Sequence, residues 1–405
     1  MEQNKNVPQI RFEGFTDDWE QRKLGEIGSI SMCRRIFKEQ TSEVGDIPFY
    51  KIGTFGAEPD AFISRGLFEE YKSKYPYPQK GDILISASGS IGRTVVFTGN
   101  NEYFQDSNIV WLKHDERLSN QFLKCFYSVV KWDGIEGSTI KRLYNDNILN
   151  TVICMPSVPE QEFIGVFFEN LDHLITLHQQ KYEKFLDLKK AMLHKLFPEE
   201  GETTPEIRFD GFSGPWEKEK LGNLGYSYTG LSGKTKEDFG HGKAKYITYM
   251  NVFSNSITDT KLAEPIEVDP KQNEVEVGDV FFTTSSETPE EVGMSSVLTE
   301  KEGTVYLNSF CFGYRPTYCF DRYFLAYMLR SEVIRKEIIL LAQGISRYNI
   351  SKKSVMDIEV FTPTIEEQEA IGEYFSKLDQ LIELNKEKLE KLKNIKSLLL
   401  DKMFV

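Results

Sequence analysis

The sequence predicts an α+β fold: two mixed helix-and-strand domains separated by two long antiparallel helices, arranged as a pseudo-two-fold internal repeat. Three observations predict it. The first is a stretch at residues 159–197 with apolar residues at helical spacing and no Gly or Pro in its helical body beyond Gly165 and the opening Pro. The second is its return at 363–405, offset by 207 residues: Glu160, Gln161, Glu162, Ile164, Gly165, Leu171, Asp172 and Phe197 recur as Glu367, Gln368, Glu369, Ile371, Gly372, Leu378, Asp379 and Phe404. The third is a second repeat outside the helices. PQIRFEGF at 8–15 matches PEIRFDGF at 205–212 in six of eight positions, 197 residues apart. Looking for repeats first is what shows the whole chain to be two copies of one unit.

The helices follow from their patterning. Ile164, Leu171, His178, Phe185 and Met192 recur every seven residues, as do Ile371, Leu378, Asn385, Leu392 and Leu399. That is a heptad seam, with Phe168, Ile175 and Tyr182 four places on and Leu174 and Leu188 as an apolar shoulder. Acids open the first helix and Lys189, Lys190 and Lys195 crowd its end, the order a helix dipole favours. A helix of about 55 Å, at about 1.5 Å per residue, cannot bury its seam against itself. The second copy is the expected partner. His178 and Asn385 are the polar seam positions, and such positions mark register at a cost in stability.

The other elements follow in chain order: an opening motif (1–19), a first block (20–158), the first helix, a linker with the second opening motif (198–216), a second block (217–362) and the second helix (363–405). Trp19 returns as Trp216, Lys23-Leu24-Gly25 as Lys220-Leu221-Gly222, and Gly81-Asp82 as Gly278-Asp279. The first block predicts a strand, Gly/Ser loop and strand after Gly81, a strand over 109–113 and helical spacing over 120–131. The second predicts strands over 244–253, 279–284 and 297–299 and a helix over 321–342. The blocks share little else, so two similar supports carry two dissimilar heads. Paired heads match the geometry of DNA half-sites.

Composition bounds the function. The chain has 405 residues, enough for two domains with separate cores. No run approaches the roughly 20 apolar residues a membrane span needs, and MEQNKNVPQ at the N-terminus holds no apolar signal core. Five scattered Cys without a CxxC argue against a disulfide framework or zinc site and fit a reducing cytoplasm. The net charge of −13 by itself opposes a nucleic-acid partner. Its distribution does not: residues 20–158 carry 17 Lys+Arg and 17 Asp+Glu, so that head is neutral and can hold a basic face.

Catalytic motifs are mostly missing. The GLSGKT stretch at 230–235 would need Gly at 228 to be a phosphate loop, and Tyr228 stands there. Position 86 is Ser, so no G-x-S-x-G elbow surrounds Ser88. His173 and His178 are five apart and share no ligand face. The methyltransferase tetrapeptide of Asn or Asp, two Pro and an aromatic is absent. One pattern remains for an alternative, a metal-dependent nuclease: Pro59-Asp60 with Glu70-Tyr71-Lys72. A further alternative is a protein-binding adaptor.

The stretches with DNA-contact character are polar loops. Ser86, Ser88 and Ser90 precede Arg93, and Thr283, Thr284 and Ser286 hold the corresponding place in the second head. Hydroxyls and loop N–H groups suit phosphate contact. Lys141, Arg142 and Tyr144, and Arg347, Tyr348 and Asn349, lie shortly before the long helices; Arg and Asn can pair bidentately with guanine and adenine edges. Lys352 and Lys353 could take phosphates, and Tyr249 and Asn251 are expected at a strand end. Each alone is an ordinary loop residue; the set is read as DNA-facing.

The opening motifs IRFEGFTDDWE and IRFDGFSGPWE, GDILISASGSIG at Gly81, and the helix starts PSVPEQEFIG and PTIEEQEAIG together resemble the specificity subunit of Type I restriction-modification systems. The likeness covers essentially the whole chain. It implies two target recognition domains, 20–158 and 217–362, each reading half of a split asymmetric site in double-stranded DNA. It implies paired helices that act as a spacer and dock two methyltransferase subunits. Those subunits, not this chain, would bind S-adenosylmethionine, and restriction subunits would join to cleave. No catalytic residue, metal or cofactor is expected on the chain itself.

Overall fold

The structure, a computed structural model, describes residues 6–134 and 141–405. Residues 1–5, which begin the N-terminal stretch read for a signal core, lie outside the described residues. The chain divides into two compact units, residues 1–178 with 387–405, and residues 179–386. Each unit therefore combines one head, the start of the long helix that follows it and the end of the other long helix.

In unit 1 the head opens with Glu20–Lys23, which pairs antiparallel with Val152–Met155. This ribbon ties the beginning of the head to its end. A four-stranded antiparallel sheet has the order Gly28–Met32, Ile109–His114, Ile83–Ser86, Thr94–Val96. Ile47–Tyr50 centres a smaller sheet, antiparallel to Phe62–Ile63 and parallel to Tyr103–Phe104. The central strands carry continuous apolar runs such as Ile83-Leu84-Ile85, because both of their faces are covered.

Unit 2 repeats this build. Glu217–Lys220 pairs antiparallel with Glu359–Thr362. Gly225–Thr229, Cys311–Pro316, Val280–Thr283 and Ser295–Val297 form the four-stranded sheet in that order. Glu264–Ile266, Phe239–Ile247 and Val305–Leu307 form the smaller one, again with one antiparallel and one parallel pairing. Two heads with little sequence in common thus have one topology.

The long helices span Val158–Lys195 and Ile365–Met403. Within unit 1, Ile164, Phe168 and Leu171 share a core with Leu400 and Met403. Within unit 2, Ile371 and Phe375 share a core with Leu196 and Phe197. In each unit the start of one helix meets the end of the other, so the helices run antiparallel. Asn385 is buried and donates through Nδ2 to Leu381 O at 2.7 Å. His178, Phe185, Met192, Leu392 and Leu399 are half-buried. Leu174 and Leu188, expected as an apolar shoulder, are exposed.

The repeated helix-start motif has a physical reason that the structure supplies. Glu160 is buried and receives Nε and Nη2 of Arg11, both at 2.7 Å. Glu367 receives Nε and Nη2 of Arg208 at 2.6 and 2.7 Å, and Nε1 of Trp216 at 3.1 Å. Each opening motif is thereby clamped to the helix start of its own repeat. The next residue holds the head: Gln161 Oε1 accepts from Ser119 N at 2.9 Å, and Gln368 Oε1 from Asp321 N at 3.1 Å. Ser119 and Asp321 cap the head helices Asn120–Val129 and Arg322–Met328.

The Leu-Asp pairs about three turns on carry a further tie. Asp172 is bonded by Lys124 of the head at 3.0 Å and by Lys396 of the second long helix. Asp379 accepts from Tyr327 of the head at 2.8 Å and is paired with Lys189 of the first long helix at 2.6 Å. Burial alone pushes the Asp172 carboxyl up, but the hydrogen bonds and charges of Lys396 and Lys124 outweigh it and hold the group below the ordinary 3.8. A depressed carboxyl adds stability above its unfolded pKa and loses it as pH falls through the folded one. Thermal unfolding midpoints should therefore fall as pH drops below about 4. The Asp172→Asn variant should be less stable at neutral pH and show a shallower acid limb; parallel acid limbs would remove Asp172 from the linkage.

Three expected elements differ, the simplest being the strand expected over 297–299, which is Ser295–Val297. Residues 244–253, expected as one strand, form the end of Phe239–Ile247 and then the helix Tyr249–Ser254, because Thr248 caps the turn by accepting from Asn251 N at 3.3 Å. Residues 321–342, expected as one helix, are two: Arg322–Met328 and Glu332–Leu340. The break is at Arg330-Ser331. Ser331 Oγ donates to Met328 O at 2.7 Å, and Arg330 turns to the carbonyls of Val252, Phe253, Asn255 and Ser295.

Candidate nucleic-acid interface

In the first head the chain leaves the strand Ile83–Ser86 into a tight loop. Gly89 and Gly92 stand at φ of 67° and 83°, which side chains beyond Cα resist. Ser88 bridges antiparallel to Arg142. Gly89 N donates to Lys141 O at 3.2 Å and Leu143 N to Ala87 O at 2.8 Å. Two polar stretches some fifty residues apart in sequence thus form one edge. Lys141, Tyr144 and Ser90 face out from it, and the Arg142 guanidinium lies 5.8 Å from the Tyr144 ring centre.

The second head builds the same edge. Ser285–Ser286 pairs antiparallel with Tyr348–Asn349, Ser285 opposite Asn349 and Ser286 opposite Tyr348. Ile350 N donates to Thr284 O at 3.0 Å, as Leu143 does to Ala87 O in the first head. Arg347 Nη2 donates to Ser285 Oγ at 3.1 Å, and Tyr249 OH to Ser285 O at 2.8 Å. Ser88 and Ser285 are equivalent at the 197-residue offset, and Arg142 falls opposite Ser88 where Asn349 falls opposite Ser285. The heads present different side chains from one backbone frame. Arg347 and Asn349 are exposed; Lys352 and Lys353 open the helix Lys352–Met356 that follows.

Several expected contact residues are committed inward instead. Ser86 is buried; its hydroxyl donates to Ser90 O and accepts from Arg93 N. Ser88 Oγ donates to Asn108 Oδ1 at 2.8 Å. Thr283 Oγ1 accepts from Met294 N at 3.0 Å, and Thr284 Oγ1 donates to Phe310 O at 2.8 Å. Ser286 Oγ donates to Glu291 Oε2 at 3.1 Å, and Arg93 Nη1 donates to Phe55 O. Asn251, expected at a strand end, is buried in a helix and bonded to Asp259 through both ends of its amide. These residues shape the edge; outward reach is left to Ser90, Lys141, Arg142, Tyr144, Arg347, Tyr348 and Asn349. Ser285, inside the polar stretch 283–286 that corresponds to the first head's loop, and Asn108 complete the edge; no local sequence signal marks Asn108.

The other motifs resolve without chemistry. Asp60 pairs with Lys51 at 2.9 Å and Glu70 with Lys74 at 2.9 Å, while Lys72 Nζ sits 5.0 Å from the ring centres of Phe68 and Tyr77. The nuclease triad is thus divided among three separate partnerships. Lys234 of the GLSGKT loop is paired with Asp269 at 2.9 Å and Asp238 at 3.7 Å. Among the described residues, no group of three or more His, Cys, Asp or Glu is placed to hold a metal, and no helix is long and apolar enough to cross a membrane.

A doubled α+β chain with paired long helices and one recognition frame per head is the build of a DNA-specificity protein. The comparisons agree. Over 178 residues, 41% of this chain and 46% of the other, it is 54% identical to a Haemophilus influenzae protein named for the specificity subunit of a type I restriction enzyme, so it spans less than half of that relative. A Methanocaldococcus jannaschii protein named for the MjaX specificity subunit is 23% identical over 424 aligned residues, 97% of this chain and 94% of the other. The fold is similar to the crystal structure of a Type I restriction-modification system S subunit from M. genitalium, with 16% identity, a TM-score of 0.57, and 98% and 99% of the two chains covered. The chain belongs to the Type I restriction modification DNA specificity domain family, whose pattern it matches twice, at residues 16–185 and 214–394. The family confers DNA sequence specificity and is not a catalytic one.

Proposed function

We propose that this chain is the subunit that reads a bipartite, asymmetric target in double-stranded DNA, the head at 20–158 reading one half-site and the head at 217–362 the other. Its long helices dock two methyltransferase subunits, which bind S-adenosylmethionine and methylate adenine, and restriction subunits join that assembly in the cytoplasm. The observation that carries this reading is the shared edge. One backbone frame, fixed by Ser88 opposite Arg142 and by Ser285 opposite Asn349, exposes a different set of side chains in each head. Arg suits the guanine edge and Asn the adenine edge, so unlike edges on like frames give unlike half-sites. The chain's net charge of −13 makes it a poor phosphate binder overall; the partner subunits supply much of the phosphate-binding surface.

The test is an exchange of residues 20–158 for the corresponding head of another family member, followed by genome-wide mapping of methylated adenines in cells carrying the intact system. One half of the target should change and the other should persist. Loss of both halves, or retention of both, would contradict one reader per half-site.

A further inference from the structure

Unit 2 contains two arginines that no carboxylate balances among the described residues. Arg330 donates through Nε to Ser295 O at 2.7 Å, and through Nη2 to the carbonyls of Val252, Phe253 and Asn255 at 2.9, 3.1 and 2.9 Å. Arg335 donates through Nη1 to Gly293 O, and through Nη2 to Glu290 O and Val292 O, all at 2.8 Å. Neither forms a salt bridge among the described residues. Burial pushes both guanidinium groups down to about 10, Arg330 also through the charge of Arg335. Buried charge of one sign without a counter-ion is costly.

Both arginines line a cavity of about 490 Å³ together with Ser254, Ser256 and Met294. Its other cation, Lys189, is already paired with Asp379 at 2.6 Å. Glu290 is at its rim, exposed, and meets Arg335 only through its carbonyl. Donors remain in excess. Arg330 Nη1, Arg335 Nε and the hydroxyls of Ser254, which is exposed, and Ser256, which is half-buried, have no hydrogen-bond partner among the described residues. In the adjoining wall, Ser295 is 1% exposed and its hydroxyl has no partner. Met294 ties the cavity to the recognition edge, exchanging hydrogen bonds with Thr283 at 3.0 Å.

We propose that this cavity is a phosphate-binding pocket in which Arg330, Arg335, Ser254 and Ser256 donate to a tetrahedral oxyanion. An ionised oxyanion meets the surplus donors and the uncompensated charge at once. The phosphate can be a backbone phosphate of the bound duplex, which rests on the DNA-reading function above, or a free phosphate anion, which does not.

The test uses the full chain. Thermal unfolding is followed in sodium phosphate and in sodium chloride of equal ionic strength, for the wild type and for the Ser254→Ala/Ser256→Ala double variant, which leaves every carbonyl contact of the arginines in place. The wild type should show a midpoint rise specific to phosphate, and the double variant should need about fivefold more phosphate or beyond for the same rise. Affinity for the mapped target and for a scrambled duplex then separates the sources. If DNA supplies the phosphate, the double variant loses affinity for both duplexes by the same factor, and phosphate competes with both. If the anion is free, DNA affinity is unchanged while the phosphate response still differs between the proteins. A wild type without a phosphate-specific rise, or a double variant with the wild-type response, overturns the pocket. A wild type that does not prefer its target over the scrambled duplex counts against the DNA reading alone.

Discussion

Replacing Glu367 by alanine is expected to destabilise the full chain by about 3–5 kcal/mol, the cost of breaking a buried ion pair on one side. Glu367 is 1% exposed and receives three donors: two from Arg208, whose side chain is itself 15% exposed, and Nε1 of Trp216. Alanine would leave that guanidinium and indole unpaired in the interior. The first repeat provides an internal comparison. Glu160 receives Arg11 in the same bidentate way, but Nε1 of Trp19 is buried with no partner among the described residues. Glu160→Ala therefore strands one group fewer and should cost less than Glu367→Ala. The double variant Glu367→Leu with Arg208→Met should recover part of the loss, because an apolar pair leaves no uncompensated charge. Urea unfolding, fitted as two transitions if the units separate, measures all four. Equal midpoints for wild type and Glu367→Ala would show that the clamp contributes nothing to stability.

This pair of clamps shows how much of the fold is legible in the sequence. The repeat was visible as letters: Arg11 and Arg208 in the opening motifs, Glu160 and Glu367 at the helix starts. Their meeting was not, because about 150 residues separate the members of each pair and no periodicity links an opening loop to a helix. The long helices were legible because a sustained heptad pattern admits few alternatives. Only a seam's centre can be read that way, so Leu174 and Leu188 were assigned to a shoulder that faces solvent. In the heads, short apolar runs do not distinguish a strand from the start of a helix. The Thr248 cap and the buried Asn251 amide decided the matter at residue 249, and both depend on tertiary partners. The candidate site divided in the same manner. Composition located the loops, and the repeat offset aligned them. Which hydroxyls face inward was settled by partners such as Asn108 and Glu291, which a loop sequence does not announce.

Gly372→Val should cost about 3 kcal/mol or more, because the space a side chain needs is already occupied by a helix start. A Cβ at position 372 would stand 2.2 Å from Asp321 Oδ1, 2.9 Å from Phe324 N and 3.0 Å from Tyr323 Cβ. Those atoms are the cap itself: Asp321 Oδ1 accepts from Phe324 N at 2.8 Å, and Asp321 N is held by Gln368. Relief would require the head helix to move away from the long helix, breaking the cap and opening the core around Phe324 and Phe375. The small gain in helix propensity from replacing Gly, under 1 kcal/mol in total, cannot offset this. Gly165 holds the equivalent place in the first repeat, where a Cβ would stand 2.4 Å from Gln121 Cβ and 3.2 Å from Gln121 C. Gly165→Val should therefore be destabilising as well. Gly66 is the control. It lies in the helix Arg65–Lys74 with nothing within 4 Å of a Cβ, so Gly66→Ala should stabilise by about 0.5–1 kcal/mol. Urea midpoints that rank Gly66→Ala above wild type and both valine variants well below it would establish that the Ile-Gly repeat marks close contact between head and long helix. A Gly372→Val protein as stable as wild type would show that this contact yields without loss.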